Sequence, residues 1–152
     1  MSGAADGGDS VPEITRAVTR GAARLFEDLG CAVVTELTLA NGRRADVAAL
    51  AADGRITMVE VKSGVPDFRS DAKWSEYLEF CDSLYFAVAP TFPLDLLPDA
   101  ATCGVIVADA WEATILRPAP VQLLAAARRR AMTIRIARVA ALRLRAFTDP
   151  RL

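Results

Sequence analysis

Between Pro12 and Leu29 the apolar residues Ile14, Val18, Ala22, Leu25, Phe26 and Leu29 return every three or four positions. This spacing predicts an amphipathic helix with Ser10 upstream as its cap and Gly30 at its end. Cys31–Leu39 is rich in β-branched residues, Asn41-Gly42 is a turn pair, and the apolar run Asp46–Leu50 follows, so a hairpin is expected. A second turn pair, Asp53-Gly54, leads into Ile56–Lys62, whose alternation suits a third antiparallel strand. Ser63–Pro66 breaks that strand. Ser70–Cys81 then has helical spacing, with Trp74, Tyr77, Leu78 and Cys81 on one face. Leu84–Ala89 is wholly apolar, as expected of a strand covered on both sides, and a helical crossover into it would pair it in parallel. Thr91–Ala101, interrupted by Pro93 and Pro98, reads as a loop or short helix; Gly104–Ala108 and Ala113–Leu116 read as a closing hairpin, and Pro118–Phe147 as mostly helical. The order helix, three-strand meander, helix, strand defines an α/β class with a mixed sheet.

The chain of 152 residues, 53% hydrophobic, is long enough for one domain with its own core. Its expected organisation is a disordered tail over 1–11, a core domain over 12–116 and a basic helical extension over 117–152 packed on the same domain. The start MSGAADGGDS has neither the charged beginning nor the apolar run of a secretory signal, and no later run suits a membrane span, so a cytoplasmic location away from membranes is expected. Cys31, Cys81 and Cys103 form no C-x-x-C pair and read as buried small hydrophobes.

Charge and the missing residue types narrow the chemistry. There is no histidine, which removes Ser-His and Cys-His mechanisms and the commonest zinc ligand. Catalysis would have to run on carboxylates, lysine or a metal. Residues 1–116 carry 9 basic and 18 acidic side chains, whereas 117–152 carry 9 basic and 1 acidic. Sixteen of the 18 basic residues are arginine; the two lysines are Lys62 and Lys73.

Glu60 and Lys62, two apart on one strand, point from the same face, and Asp46 begins the neighbouring strand. If these strands pair as a meander, two carboxylates come together and need a cation between them. A hard divalent ion such as Mg²⁺ takes oxygen ligands and is commonly held by one or two carboxylates plus substrate phosphate; the Val61 carbonyl would add a third protein oxygen. Lys62 beside it would orient a water or balance charge building on a phosphate. An E-x-K triplet alone carries little information. The plain alternatives are an Asp46 that bonds the Asn41-Gly42 turn and a solvated Glu60–Lys62 cross-strand pair.

The stretches Arg44-Ala45-Asp46, Val59-Glu60-Val61-Lys62-Ser63 and Asp67–Tyr77 resemble the PD-(D/E)xK nuclease superfamily and, within it, the MmcB-like DNA repair proteins of bacteria, over roughly residues 12–116. The resemblance implies a restriction-endonuclease-like core in which Asp46 and Glu60 bind Mg²⁺ or Mn²⁺ and Lys62 assists the water. It also implies an accessory acid on the first helix, which Glu13 would supply, and polar residues on the second helix, matched by Asp71, Lys73 and Tyr77. Ala45 stands where the motif's name has proline, and Trp74 precedes Tyr77 where RecB-like relatives carry a glutamine. The expected partner is nucleic acid, DNA foremost, with no small-molecule cofactor and with a homodimer as a way to embrace a duplex.

The C-terminal stretch interleaves Arg128, Arg129, Arg130, Arg135, Arg138, Arg143 and Arg145 with apolar residues and reads as a basic amphipathic helix. Arg128, Arg135 and Arg138 are candidate phosphate contacts, with a solvated face as the alternative. Lys73 and Tyr77 are candidate nucleic-acid contacts and Lys73 a candidate catalytic residue, but Lys73 serves equally as an exposed helix lysine paired with Glu76 or Tyr77, and Trp74, Tyr77 and Phe80 at helical spacing are more often core than a base-stacking platform; Glu36 could face the site, with the surface as its commoner place. Two functions follow: a metal-dependent DNA repair nuclease, or a catalytically weak or silent nucleic-acid-binding module of the same fold.

Overall fold

In the computed structural model, residues 10–64 and 74–151 are described. Helix α1 (Val11–Asp28) opens on a capping box: the Ser10 hydroxyl accepts the Glu13 N–H at 3.4 Å and the Glu13 carboxylate accepts the Ser10 N–H at 3.1 Å. Strands β1 (Ala32–Thr38), β2 (Arg44–Leu50) and β3 (Ile56–Lys62) follow, then a 3-10 helix Trp74–Phe80, β4 (Ser83–Val88), a 3-10 turn Leu94–Leu96, β5 (Gly104–Ala108), β6 (Ala113–Arg117) and helix α2 (Ala126–Thr148).

One six-stranded sheet has the order β1-β2-β3-β4-β5-β6. β1, β2 and β3 are antiparallel neighbours, β3, β4 and β5 are parallel, and β6 returns antiparallel on β5. The two hairpin turns are closed as their sequence asks. The Asn41 and Asp53 side chains accept the N–H of Arg43 and Arg55, each at 3.0 Å, and Gly42 and Gly54 take the positive φ values of 83° and 91° that the turns require.

The sheet is covered on both sides, which explains the unbroken apolar β4. On one face α1 presses Val18, Ala22 and Phe26 onto Val47, Val59, Val61, Tyr85 and Ile106. On the other, Met132 and Ile136 of α2, with Tyr77 and Phe80 of the 3-10 helix, cover Met58, Leu84, Phe86 and Val88. Each such large apolar side chain contributes about 1.5–3 kcal/mol on burial.

Two elements differ from expectation. The helical spacing over Ser70–Cys81 yields, among the described residues, a 3-10 helix of Trp74–Phe80. The predicted helix over Pro118–Phe147 starts only at Ala126, because Pro118 and Pro120 favour extended backbone and Asp82 captures the segment: its carbonyl accepts the Gln122 N–H at 2.9 Å and its carboxylate the Leu124 N–H at 2.8 Å.

Gly21 marks where α1 meets the β5–β6 turn. A methyl group there would collide with the Asp109 carbonyl and press on the Ala108 side chain. Gly→Ala within a helix ordinarily gains about 1 kcal/mol, but overpacking costs about 1–3 kcal/mol, so Gly21→Ala is expected to be net destabilising. A lower urea midpoint at unchanged slope would report this; an unchanged or higher midpoint would mean that α1 shifts without cost.

Candidate functional site

The site lies at the end of the sheet where β3, β4 and β5 have their C-termini, the end at which open α/β sheets place ligands. The β2–β3 ladder runs from the pair Leu50↔Ile56 to the pair Val47↔Val59. Beyond it side chains tie the strands together: the Asp46 carboxylate accepts the Val61 N–H at 2.7 Å, and the Glu60 carboxylate accepts the Asp46 N–H at 3.4 Å. Glu60 and Lys62 are each only 4% exposed.

A slip in the strand alternation helps to aim Asp46. Ala45 and Ala48 belong to the same core cluster although three residues apart, and so do Val34 and Leu37 opposite them. On the β1 side the slip centres on Glu36, a non-glycine residue with φ +51°. Glu36 and Asp46 consequently line one cavity of about 310 Å³, together with Arg44 and with Thr15, Arg16, Thr19 and Arg20 of α1. Arg143 of α2 donates to the carbonyl of Glu36 at 2.7 Å and also to that of Thr35, fastening the distorted strand. On the other side, Tyr77 donates its hydroxyl to the Arg44 carbonyl at 3.0 Å and Glu76 pairs with Arg43 at 2.8 Å, seating the 3-10 helix against the start of β2.

The donors at Asp46, Glu60 and the Val61 carbonyl are all hard oxygens. They suit Mg²⁺ or Mn²⁺, which one or two carboxylates hold while other positions are left to water and phosphate. Among the described residues no cluster of three or more His, Cys, Asp or Glu forms a denser metal centre. The cysteines contribute nothing to it: burial pushes the Cys81 thiol up to about 12 and raises Cys103, and Cys31 is raised by burial and by Asp53.

The other sequence candidates separate. Glu13 is engaged in the α1 capping box and is not among the cavity's lining residues. Tyr77 is 5% exposed, a core residue with its hydroxyl occupied by backbone, so its ring offers no platform for a base. Arg128 lies over the Phe80 ring at 4.7 Å, Arg135 donates to the Thr38 carbonyl at 3.2 Å, and Arg138 stands exposed beside Ile134 and Leu142. Lys73 and Asp71 lie outside the described residues.

Sequence reasoning passed over two groups. Asp82, 3% exposed, accepts the Ile56 N–H and both arms of Arg129, and Arg129 also reaches the Gly54 carbonyl at 2.8 Å. Burial works against the Asp82 charge, yet Arg129 and the N–H groups of Ile56 and Leu124 outweigh it and hold the carboxyl below its usual range. Nothing local in the sequence signals a pair 47 residues apart. The second group, Arg16, Arg20 and Arg24 on α1, was visible as arginines at i, i+4 and i+8 on the polar face of a predicted helix.

The molecule is thus an α/β protein with a six-stranded mixed sheet, flanking helices, and an acidic pair beside a buried lysine at the sheet's end. The model of the DNA repair protein MmcB-like family matches residues 2–151, and the chain belongs to that family. A solved structure of a protein of unknown function from Silicibacter pomeroyi is similar at 43% identity and TM-score 0.86, covering 90% of this chain and 92% of the other. No curated protein matches the chain. Among the described residues no helix is long and apolar enough to cross a membrane.

Proposed function

We propose that this protein is a divalent-metal-dependent nuclease of DNA repair with a restriction-endonuclease-like core. The observation that carries the reading is the interlock at the end of the β2–β3 ladder. Asp46 and Glu60 reach across to each other's strand, and Lys62 stands one position beyond on Glu60's face. A fold needing only a strand pair has no use for two partly or fully buried carboxylates in place of ladder contacts.

In this reading Asp46, Glu60 and the Val61 carbonyl hold Mg²⁺ or Mn²⁺, which when bound supplies Lewis acidity toward a phosphate and activates water for in-line attack. Asp46 is fixed by the Val61 N–H, so its orientation is set before any ligand arrives. Lys62 would orient the attacking water or balance the charge that builds on the phosphate. Lys73 is proposed as a further contact to phosphate, and Arg138 as an outward-facing one. Arg128 and Arg135 already serve Phe80 and Thr38 within the fold, which makes their part in binding secondary.

The depth of Glu60 and Lys62, 4% exposed each, favours a second reading: a module of the same family that binds DNA without cutting it. Cleavage of single-stranded, duplex, flapped and branched DNA with Mg²⁺ or Mn²⁺, and its loss on chelation, separates the two. Metal-dependent cutting of any member supports the nuclease. Binding without cutting across the whole panel supports the module.

A further inference from the structure

Arg16, Arg20 and Arg24 step along one side of α1 at intervals of about 6 Å. The stripe begins in the cavity that Asp46 lines, to which Arg16, Arg20 and Arg44 all contribute. It ends at Trp111, whose ring lies 4.6 Å from the Arg20 guanidinium and 5.5 Å from that of Arg24. Arg20 therefore belongs to both.

Trp111 is 69% exposed, an unusual position for the largest apolar side chain. It is nevertheless firmly carried. The Asp109 carboxylate accepts the N–H groups of Trp111 and Glu112, each at 2.8 Å, and those bonds hold it below its usual pKa range. The turn is also pressed against α1 at Gly21. It follows β5, so it lies at the same end of the sheet as Glu60 and Lys62.

We infer that α1 and Trp111 form a binding track for single-stranded nucleic acid leading to the Asp46 cavity, with phosphates on Arg16, Arg20 and Arg44 and an unstacked base on the Trp111 ring. The charge of the stripe selects a polyanion. The presented indole, flanked by guanidiniums, selects single strands or frayed ends over intact duplex, whose bases are already stacked and cannot lie on an aromatic face. An acidic protein surface would meet the arginines equally well but would leave the solvent-facing part of the ring uncovered.

The inference deepens the nuclease reading by naming its strand type, but it stands or falls separately, because binding is measured in EDTA where nothing is cut. The experiment is fluorescence anisotropy of a labelled single-stranded oligonucleotide, and of a hairpin duplex closed at both ends, against the full chain. The variants are Trp111→Ala, Trp111→Phe, Arg20→Gln and, as a control, Arg55→Gln, an exposed arginine at the opposite end of the sheet. Trp111→Ala should weaken single-strand binding by about tenfold and leave the closed duplex unchanged, while Trp111→Phe retains most of the affinity. Arg20→Gln should lower the salt slope by about 0.7, the value for one phosphate contact on a single strand. Equal affinity in Trp111→Ala and wild type overturns the track, as does an equal loss in Arg20→Gln and Arg55→Gln. Competition by polyglutamate as strong as by the oligonucleotide, dependent on Trp111, overturns it in favour of a protein dock. Cleavage unaffected by Trp111→Ala would leave the nuclease standing without the track; Trp111-dependent binding with no cleavage would do the reverse.

Discussion

Asp82→Ala is expected to cost about 3–5 kcal/mol, the cost of breaking a buried ion pair by removing one partner, and so a large part of the stability of a small domain. The carboxylate it removes accepts the Ile56 N–H at 2.8 Å, the Leu124 N–H at 2.8 Å and Arg129 at 2.6 and 2.8 Å. Those donors span the start of β3, the extended segment before α2 and the first turn of α2 itself. The Arg129 charge would be left half-buried against the Gly54 turn without its counter-ion. The reciprocal change, Arg129→Ala, leaves the less exposed partner unpaired and should cost as much; urea unfolding of both reads the effect. A loss below about 1 kcal/mol in each would mean the pair is worth no more than a surface bridge. The pH dependence has a fixed sign. Because the folded carboxyl lies below its unfolded range, its contribution is complete above about pH 4, the unfolded pKa, and is lost as pH falls through the lower folded value. Asp82→Asn should flatten that acid limb.

The second large effect concerns chemistry. Glu60→Gln and Lys62→Met should each lower metal-dependent cleavage by on the order of 10²–10³-fold, the loss typical of removing one preorganised charge at a reacting phosphate. Both changes keep the approximate shape of side chains packed under β3, so the circular dichroism of the variants should stay that of the wild type. Glu60→Gln should also weaken Mn²⁺ binding measured by calorimetry, whereas Lys62→Met should spare it, since lysine is no ligand. Cleavage retained in both variants would remove Glu60 and Lys62 from the chemistry.

Much of the fold could be read from the sequence because its signals are local. The period of α1, the turn pairs Asn41-Gly42 and Asp53-Gly54, and the unbroken run of β4 each act within a few residues. The juxtaposition of Asp46 with Glu60 followed from one turn and an antiparallel register. What escaped is non-local or depends on which face of a helix is already covered. Asp82 and Arg129 meet only once α2 lies on the sheet, and the slip at Glu36 leaves no mark in composition. The C-terminal arginines divide for a related reason. Charge density pointed to phosphate contacts at Arg128, Arg135 and Arg138 or to a solvated face; Arg129, Arg135 and Arg143 reach backbone carbonyls, and only packing tells those from Arg138.

The inward arginines have a further consequence for the sheet's open side. β1 is a terminal strand, and a terminal strand offers its unused carbonyls as a template on which foreign strands can add. Guanidiniums of α2 already sit on the carbonyls of Thr35, Glu36 and Thr38. The helix thereby works as insulation, occupying acceptors that an added strand would need along the margin of the molecule nearest its acidic cavity.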